Sequence, residues 1–332
     1  MISTDIGKEP DSEWNKRLLD SKLGTIYQTK EYGAYVESRL KSKPIYLKFY
    51  TDNGEIVSQL LLFQSFKGRG KLAEFFGRGF VYSAVAKTSS LLPKYTNWIF
   101  GPVIFNTTYN YEISESLGNL LISRKGKFSG SLHPLNSDFD FPQKFNLQKR
   151  NTATFVIDLN QNLEQIFNNT DKKSVQKNIK RSQERGVTVT QISSKEDLIL
   201  YHELLNKHRS ENKLVSYSLE DVIEGYELVK SIGQIGFLAW YEKIPVGGVF
   251  ISTFNKYINE WGIARSMIDT EKKLSSLDLL RWKIIEWGKQ NNCRYYDLSG
   301  VKPSNRSPKE EDLFRNKAKW GGKLINYTLF SN

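Results

Sequence analysis

Residues 235–264 read IGFLAWYEKIPVGGVFISTFNKYINEWGIA, and the fold follows from how this stretch divides. Ile235–Tyr241 is an apolar and aromatic run of strand length. Glu242-Lys243-Ile244-Pro245 reads as a turn. Val246–Thr253 and Tyr257–Ala264 read as the second and third strands of a meander. A loop then leads to Ser276–Asn291, where Leu277, Leu280, Ile284 and Trp287 recur at helical spacing and form one apolar stripe. Arg294–Ser299 closes the unit as a strand. Two helices precede it, Ser194–Arg209 and Ser218–Ser231, each opening on a serine suited to cap a helix N-terminus.

The first half of the chain repeats this order. Glu13–Asp20 and Tyr27–Leu40 read as helices. Pro44–Tyr50 alternates as a strand, Thr51-Asp52-Asn53-Gly54 supplies a hairpin turn, and Glu55–Phe63 returns. Leu72–Phe80 reads as a third strand. A long loop carrying Gly101-Pro102 leads to a helix at Glu112–Arg124 and a strand at Phe128–His133. A bridge rich in Pro and Asn runs to Arg150, with His133 read as a linker residue. Thr152–Leu159 is then a strand, Leu163–Arg185 one basic helix stopped by Gly186, and Val187–Gln191 a strand. We therefore expect one duplicated α/β unit, with the first lobe at 1–150 and the second at 151–322. The final strand, near Lys323–Leu329, is free to return to the first lobe.

Composition narrows the function. The 332 residues carry 48 Lys and Arg against 36 Asp and Glu, a net charge of +12. Such an excess suits an anionic partner, whether RNA, a phosphorylated metabolite or an anionic membrane surface. No apolar run reaches the about 18 residues of a membrane span. The polar, acid-bearing start at 1–11 does not have the pattern of a signal peptide. One cysteine, Cys293, excludes an internal disulfide, and the three histidines (His133, His202, His208) leave little for a metal. A reduced, cytoplasmic setting is expected.

Three stretches carry candidate chemistry. Asp171–Gly186 reads DKKSVQKNIKRSQERG. At about 100° per residue, Val175 and Ile179 share one stripe, while Lys173, Lys177, Lys180 and Arg181 lie opposite, a face able to neutralise phosphates. Tyr295-Tyr296-Asp297-Leu298-Ser299-Gly300 places a carboxylate on a buried strand, where it needs a partner; Asp297 is expected to cap a loop, meet a basic group or act as a base. Arg315-Asn316-Lys317-Ala318-Lys319-Trp320-Gly321-Gly322 sets Lys317 three residues before Trp320. Trp240, Trp261, Trp282 and Trp287 read as core, with Trp261-Gly262 singled out because it lies on the third strand of the meander. Cys293 reads as a packing residue or one exposed by accident rather than a nucleophile.

Taken in order, Tyr27-Gln28-Thr29-Lys30-Glu31-Tyr32, Gly101-Pro102, the helix KKSVQKNIKRSQERGV, Tyr296-Asp297-x-x-Gly300 and Lys317-x-x-Trp320-Gly321-Gly322 resemble the FemABX family of nonribosomal peptidyltransferases, BioF2-like acyltransferases. The resemblance spans roughly residues 25–327. It implies an α/β (α+β) fold of two tandem GNAT-like, acyl-CoA N-acyltransferase-like lobes with a cleft between them. It also implies an aminoacyltransferase that moves an amino acid from aminoacyl-tRNA to an amine of a muropeptide-like cell-wall (peptidoglycan) precursor, without metal or cofactor. The lysine of the family's Phe-Lys-x-x-Phe-Gly-Gly motif corresponds to Lys317, whose charge would stabilise developing negative charge. Tyr296, Asp297, Trp320 and Trp261 would shape the pocket. Arg209 and Lys213 lie where the family's basic residue for a nucleotide diphosphate is sought. Lys173, Lys177, Lys180 and Arg181 would meet tRNA phosphates. A lipid- or nucleotide-linked acceptor and peripheral membrane contact would suit the basic surface.

This sequence departs from the family pattern at Asn316 and Trp320, where phenylalanine is common, and Glu211 competes with Arg209 and Lys213 for the aligned basic position. The connection after Ser210 is too short for a coiled-coil arm. Two other functions fit the same reading. An acyl-CoA-dependent N-acyltransferase needs a glycine-rich pyrophosphate loop before a helix N-terminus. Residues 270–276 (TEKKLSS) contain no glycine, and Gly77-Arg78-Gly79 falls in the expected strand. A non-enzymatic RNA- or envelope-binding protein would use the basic helix alone.

Overall fold

The computed structural model describes residues 2–66, 94–124, 126–136 and 138–332. It divides into two compact units, Met1–Thr152 with Asn326–Asn332, and Ala153–Ile325. The strand expected at Leu72–Phe80, with Gly77-Arg78-Gly79, lies outside the described residues.

In the first unit the strands are β1 (Ile2–Gly7), β2 (Lys43–Thr51), β3 (Ile56–Phe66), β4 (Lys94–Trp98), β5 (Val103–Ile104) and β6 (Lys127–Ser131). The last strand of the chain, β13 (Lys323–Ser331), pairs with β6 through Leu329–Ser331. The order is β1-β2-β3-β4-β6-β13, with β5 beside β3. All pairs are antiparallel except β4 with β6. A parallel pair needs a crossover, and the helix Asn110–Ser123 supplies it. Its Ile113, Leu117 and Leu121 pack on Leu47, Phe49, Leu60 and Leu62 of β2 and β3. Each such aliphatic side chain, fully buried, contributes about 1.5–3 kcal/mol.

The second unit holds β7 (Gln148–Asp158), β8 (Thr188–Gln191), β9 (Gln234–Tyr241), β10 (Ile244–Phe254), β11 (Tyr257–Arg265) and β12 (Tyr295–Val301), in the order β7-β12-β11-β10-β9-β8. Here too one pair is parallel, β11 with β12, and the helix Ser276–Gln290 is its crossover. Leu279, Leu280, Ile284 and Ile285 of that helix bury against Ile157, Val249, Ile251 and Ile258 of the strands. The repeat read from the sequence is therefore present as two sets of strands, each with one helix-bridged parallel pair.

Several elements differ from the sequence reading. Tyr27–Leu40 is not one helix: Ile26–Gln28 is a single 3-10 turn, and the α-helix begins at Lys30 because the Thr29 hydroxyl accepts the Tyr32 N–H at 3.2 Å. The basic helix is broken as well. Leu163–Asn169 ends at Thr170, which is extended, and a wide turn at Lys172–Gln176 leads into the helix Lys177–Glu184. Asp171 makes this break, since its carboxylate caps the Ser174 N–H at 2.7 Å. The β9–β10 turn is Glu242-Lys243 alone, both with left-handed φ (50° and 66°), while Ile244 and Pro245 already belong to the strand. Such a two-residue turn matches the twist of its strands. His133 lies in the bridge after β6, but it is not a solvent-facing residue. It is buried, its Nδ1 accepts the Leu135 N–H at 3.0 Å, and burial pushes its pKa down to about 3.

Candidate active site in the second unit

The site starts from a strand that changes register. β12 pairs in parallel with β11 only over Tyr295–Asp297, opposite Tyr257–Asn259. On its other side β12 pairs with β7, and the register slips between Asp297 and Gly300. The extra residues form a bulge, which bends a strand and re-aims its groups. Ser299 sits in the bulge at φ 65°, a left-handed conformation unusual for a residue with a side chain.

Asp297, just before the bulge, is 1% exposed. Its Oδ1 accepts from the Thr154 hydroxyl and from the Ser299 N–H at 2.7 Å, and its Oδ2 from the Tyr257 hydroxyl at 2.6 Å. Of the roles expected for it, loop capping is the one these contacts make. Burial pushes its pKa up, against the opposing effects of these donors and of the Lys317 charge.

Lys317 comes from the helix Pro308–Ala318. Ser307 and Glu310 form a capping box at its start, and Pro308 fits the first helical position. At its other end Lys317 turns inward, 4% exposed. Its Nζ donates to the Ser299 carbonyl at 2.9 Å and to the Gly300 carbonyl at 3.1 Å. Among the described residues its third N–H finds no acceptor. Burial lowers its pKa to about 8, opposed by Glu260 and Asp297 and assisted by Arg281.

Two residues that the sequence reading missed complete the group. Glu260 on β11 is 1% exposed and Arg281 on the helix Ser276–Gln290 is 6% exposed. Arg281 donates to the Glu260 carboxylate from Nε at 2.9 Å and from Nη2 at 2.8 Å, and the Tyr296 hydroxyl adds a third bond at 2.6 Å. Burial would raise the Glu260 pKa; the Arg281 charge, these bonds and Lys317 outweigh it and hold the carboxyl low. Burial, and then the Glu260 charge, raise the Tyr296 phenol far above its ordinary value. The Ser299 hydroxyl donates to the Glu260 main-chain carbonyl. A signal for Arg281 existed: it lies four residues after Leu277 and three before Ile284, a charge on an apolar stripe.

The structure thus brings Tyr296, Asp297 and Lys317 together. Trp320 lies one helical turn from Lys317, fully buried, its Nε1 without a hydrogen-bond partner among the described residues. It lines a small pocket with Ile157, Asp158, Gln161, Ile166, Asn169 and Gly321. Trp261 follows Glu260 on β11, 39% exposed, its ring 5.5 Å from Phe250; it is not core. Arg209 is spent locally: its Nε donates to the Val215 carbonyl at 2.6 Å and its guanidinium lies 4.2 Å from the Tyr217 ring centre. Lys213 is exposed just past the end of the same helix, Lys195–Glu211. Lys173, Lys177 and Lys180 are exposed and Arg181 half-buried, while Val175 and Ile179 are buried. Arg185 donates to the carbonyls of Lys272 and Lys273, placing two more exposed lysines beside this face.

No family model matches the sequence, and no curated protein matches it. Solved structures do. FemX aligns with a TM-score of 0.67 at 11% identity, covering 98% of this chain and 96% of its own. L-PGS from Bacillus licheniformis aligns at 0.59 and 13% identity, covering 98% and 93%. A tandem GNAT protein from the clavulanic acid biosynthesis pathway aligns at 0.56 and 10% identity, covering 100% and 98%. The fold implied by the motif resemblance, a FemX-like tandem of GNAT-like units, is the fold this chain has.

Proposed function

We propose that the protein is an aminoacyltransferase that takes an aminoacyl group from aminoacyl-tRNA and places it on an amine of a cell-envelope, muropeptide-like acceptor. The observation that carries this reading is Lys317, with two N–H groups held by the Ser299 and Gly300 carbonyls and a third left over. A held ammonium is a ready donor to an oxyanion, because it needs no reorganisation when charge develops. The acceptor amine would attack the ester carbonyl and form the C–N bond, and the carbonyl oxygen, now negative, would take the third Lys317 N–H. Collapse would then break the ester C–O bond, and the ribose oxygen would leave with the proton given up by the amine. Aminolysis of an ester is intrinsically easy, so positioning supplies much of the acceleration.

The likeness to FemX and L-PGS supports a donor of this kind, and the exposed lysines of 173–180 with Lys272 and Lys273 offer phosphate contacts. An acyl-CoA donor fits the second unit less well. The pyrophosphate of such a donor would need free N–H groups at the start of the helix Ser276–Gln290. There the Asp269 carboxylate already accepts the Ser276 N–H at 2.8 Å, and Asp278 adds a second carboxylate in the first turn. An internal anion holds the place an external one would take. No helix among the described residues is long and apolar enough to cross a membrane, so a lipid-linked acceptor would be met from the membrane surface.

Titration with mixed charged tRNA and with acetyl-CoA, each at two salt concentrations, tests the reading. Salt-sensitive tRNA binding without CoA binding is the expected result. CoA binding without tRNA binding would overturn it.

A further inference from the structure

Lys317 is held by a bulge, and the bulge is held by something else. β11 and β12 stop pairing after Asn259 and Asp297, so no ladder bond fixes the Ser299–Gly300 carbonyls to β11. The link is made by Glu260 instead. Its main-chain carbonyl takes the Ser299 hydroxyl, and its carboxylate is fixed by Arg281 and Tyr296. Tyr296 belongs to β12, three residues before Ser299, so Glu260 grips that strand both before the register slip and within it.

We infer that Glu260 is the positioning residue for the Lys317 ammonium: clamped by Arg281 and Tyr296, it fixes the Ser299–Gly300 bulge whose carbonyls aim that ammonium. The charged groups around Lys317 come from three elements: Glu260 on β11, Arg281 on the helix Ser276–Gln290 and Asp297 on β12. Glu260 favours the Lys317 charge more than Arg281 opposes it. Asp297 works the same way as Glu260, but its oxygens are committed to Thr154, Tyr257 and the Ser299 N–H. With both acids ionised and both bases protonated, the set is neutral.

The consequence for catalysis rests on the transfer reading of Lys317; the geometry does not. The test therefore uses no transfer substrate. Lysines of the intact protein are labelled competitively with trace acetic anhydride across a pH series, and the Lys317 peptide is read by mass spectrometry. In the wild type Lys317 should label with a midpoint near about 8. In Glu260→Gln the midpoint should fall by about one unit, a tenfold change in protonation, with surface lysines unchanged. An unmoved midpoint in a natively folded Glu260→Gln protein overturns the inference. If that variant does not fold, Glu260→Gln combined with Arg281→Met leaves neither member of the pair charged. A smaller fall is expected there, and an unchanged or raised midpoint overturns the inference. Full transfer activity in Lys317→Ala would sink the catalytic reading while leaving the labelling result intact.

Discussion

The guanidinium of Arg281 and the carboxylate of Glu260 face each other through two N–H···O bonds, 2.9 and 2.8 Å, with both side chains almost wholly buried. Burial works against each charge, and each is kept by the other. A pair of this kind is costly to break from one side and cheap to remove whole. Arg281→Met should therefore cost about 3–5 kcal/mol of stability, whereas Glu260→Gln with Arg281→Met should recover most of that loss. Urea unfolding of the three proteins checks this. A double variant no more stable than Arg281→Met would contradict it.

Lys317→Ala should reduce transfer by about 10²–10³-fold, the range for losing one oxyanion donor, while leaving tRNA affinity within about twofold. The charge is needed, so the wild-type rate should fall as pH rises through about 8. A pH–rate profile under single-turnover conditions is the check. A rate that climbs through that interval would mean the neutral amine is the working form.

Charge removal on the basic face should act differently. Lys173→Gln, Lys177→Gln and Lys180→Gln should each weaken tRNA binding and lower the slope of log affinity against log salt by about 0.7–0.9 per lost phosphate contact. The maximal transfer rate should hold. Titrations at three salt concentrations read the slope, and an unchanged slope in the triple variant removes this face from the RNA site.

Asp297 titrates higher in the folded chain than its ordinary 3.8. The folded protein binds the extra proton between these two values. The stability from this group is present at low pH and is lost as pH rises through the folded value. Asp297→Asn removes that dependence. The stability of Asp297→Asn relative to wild type should grow as pH rises from about 4, measured by urea midpoints. A flat difference would show that Asp297 titrates normally.

Much of the fold was legible because the relevant signals are local. Alternation marked β2, Asn53-Gly54 marked the turn that returns β3, and apolar runs of strand length around a short turn marked the β9–β11 meander. Ser194 and Ser218 are N-caps, as read, each taking the N–H of an aspartate three residues on. What escaped depends on distant partners. β1 is a short polar segment that becomes a strand because Ile2–Gly7 meets Tyr46–Thr51. β4 is made by β3 on one side and β6 on the other. The break in the basic helix turns on Asp171, which reads equally well as an ordinary helical acid.

The candidate site divides in the same way. Tyr296 and Asp297 stand in one short motif and Lys317 in another, so each could be picked out along the chain. Thr154, Glu260 and Arg281 were not, since three separate elements bring them to β12. Arg209 was misleading for the converse reason: its charge suggested a phosphate, but its nearest needs are the Val215 carbonyl and the Tyr217 ring.

One feature of the first unit bears on how the chain matures. Its sheet is completed by residues from the far end of the polypeptide: Leu329–Ser331 pair with β6, Phe330 is buried 4.8 Å from the Phe141 ring, and the Asn332 side chain takes the Phe128 N–H. A ribosome that has made only the first 152 residues has thus made a sheet with β6 still a bare edge and a hole where Phe330 belongs. That half must wait through the synthesis of the whole second unit before it can close, exposed meanwhile to pairing with other nascent chains. Its dependence on chaperones during translation should exceed that of the unit made after it.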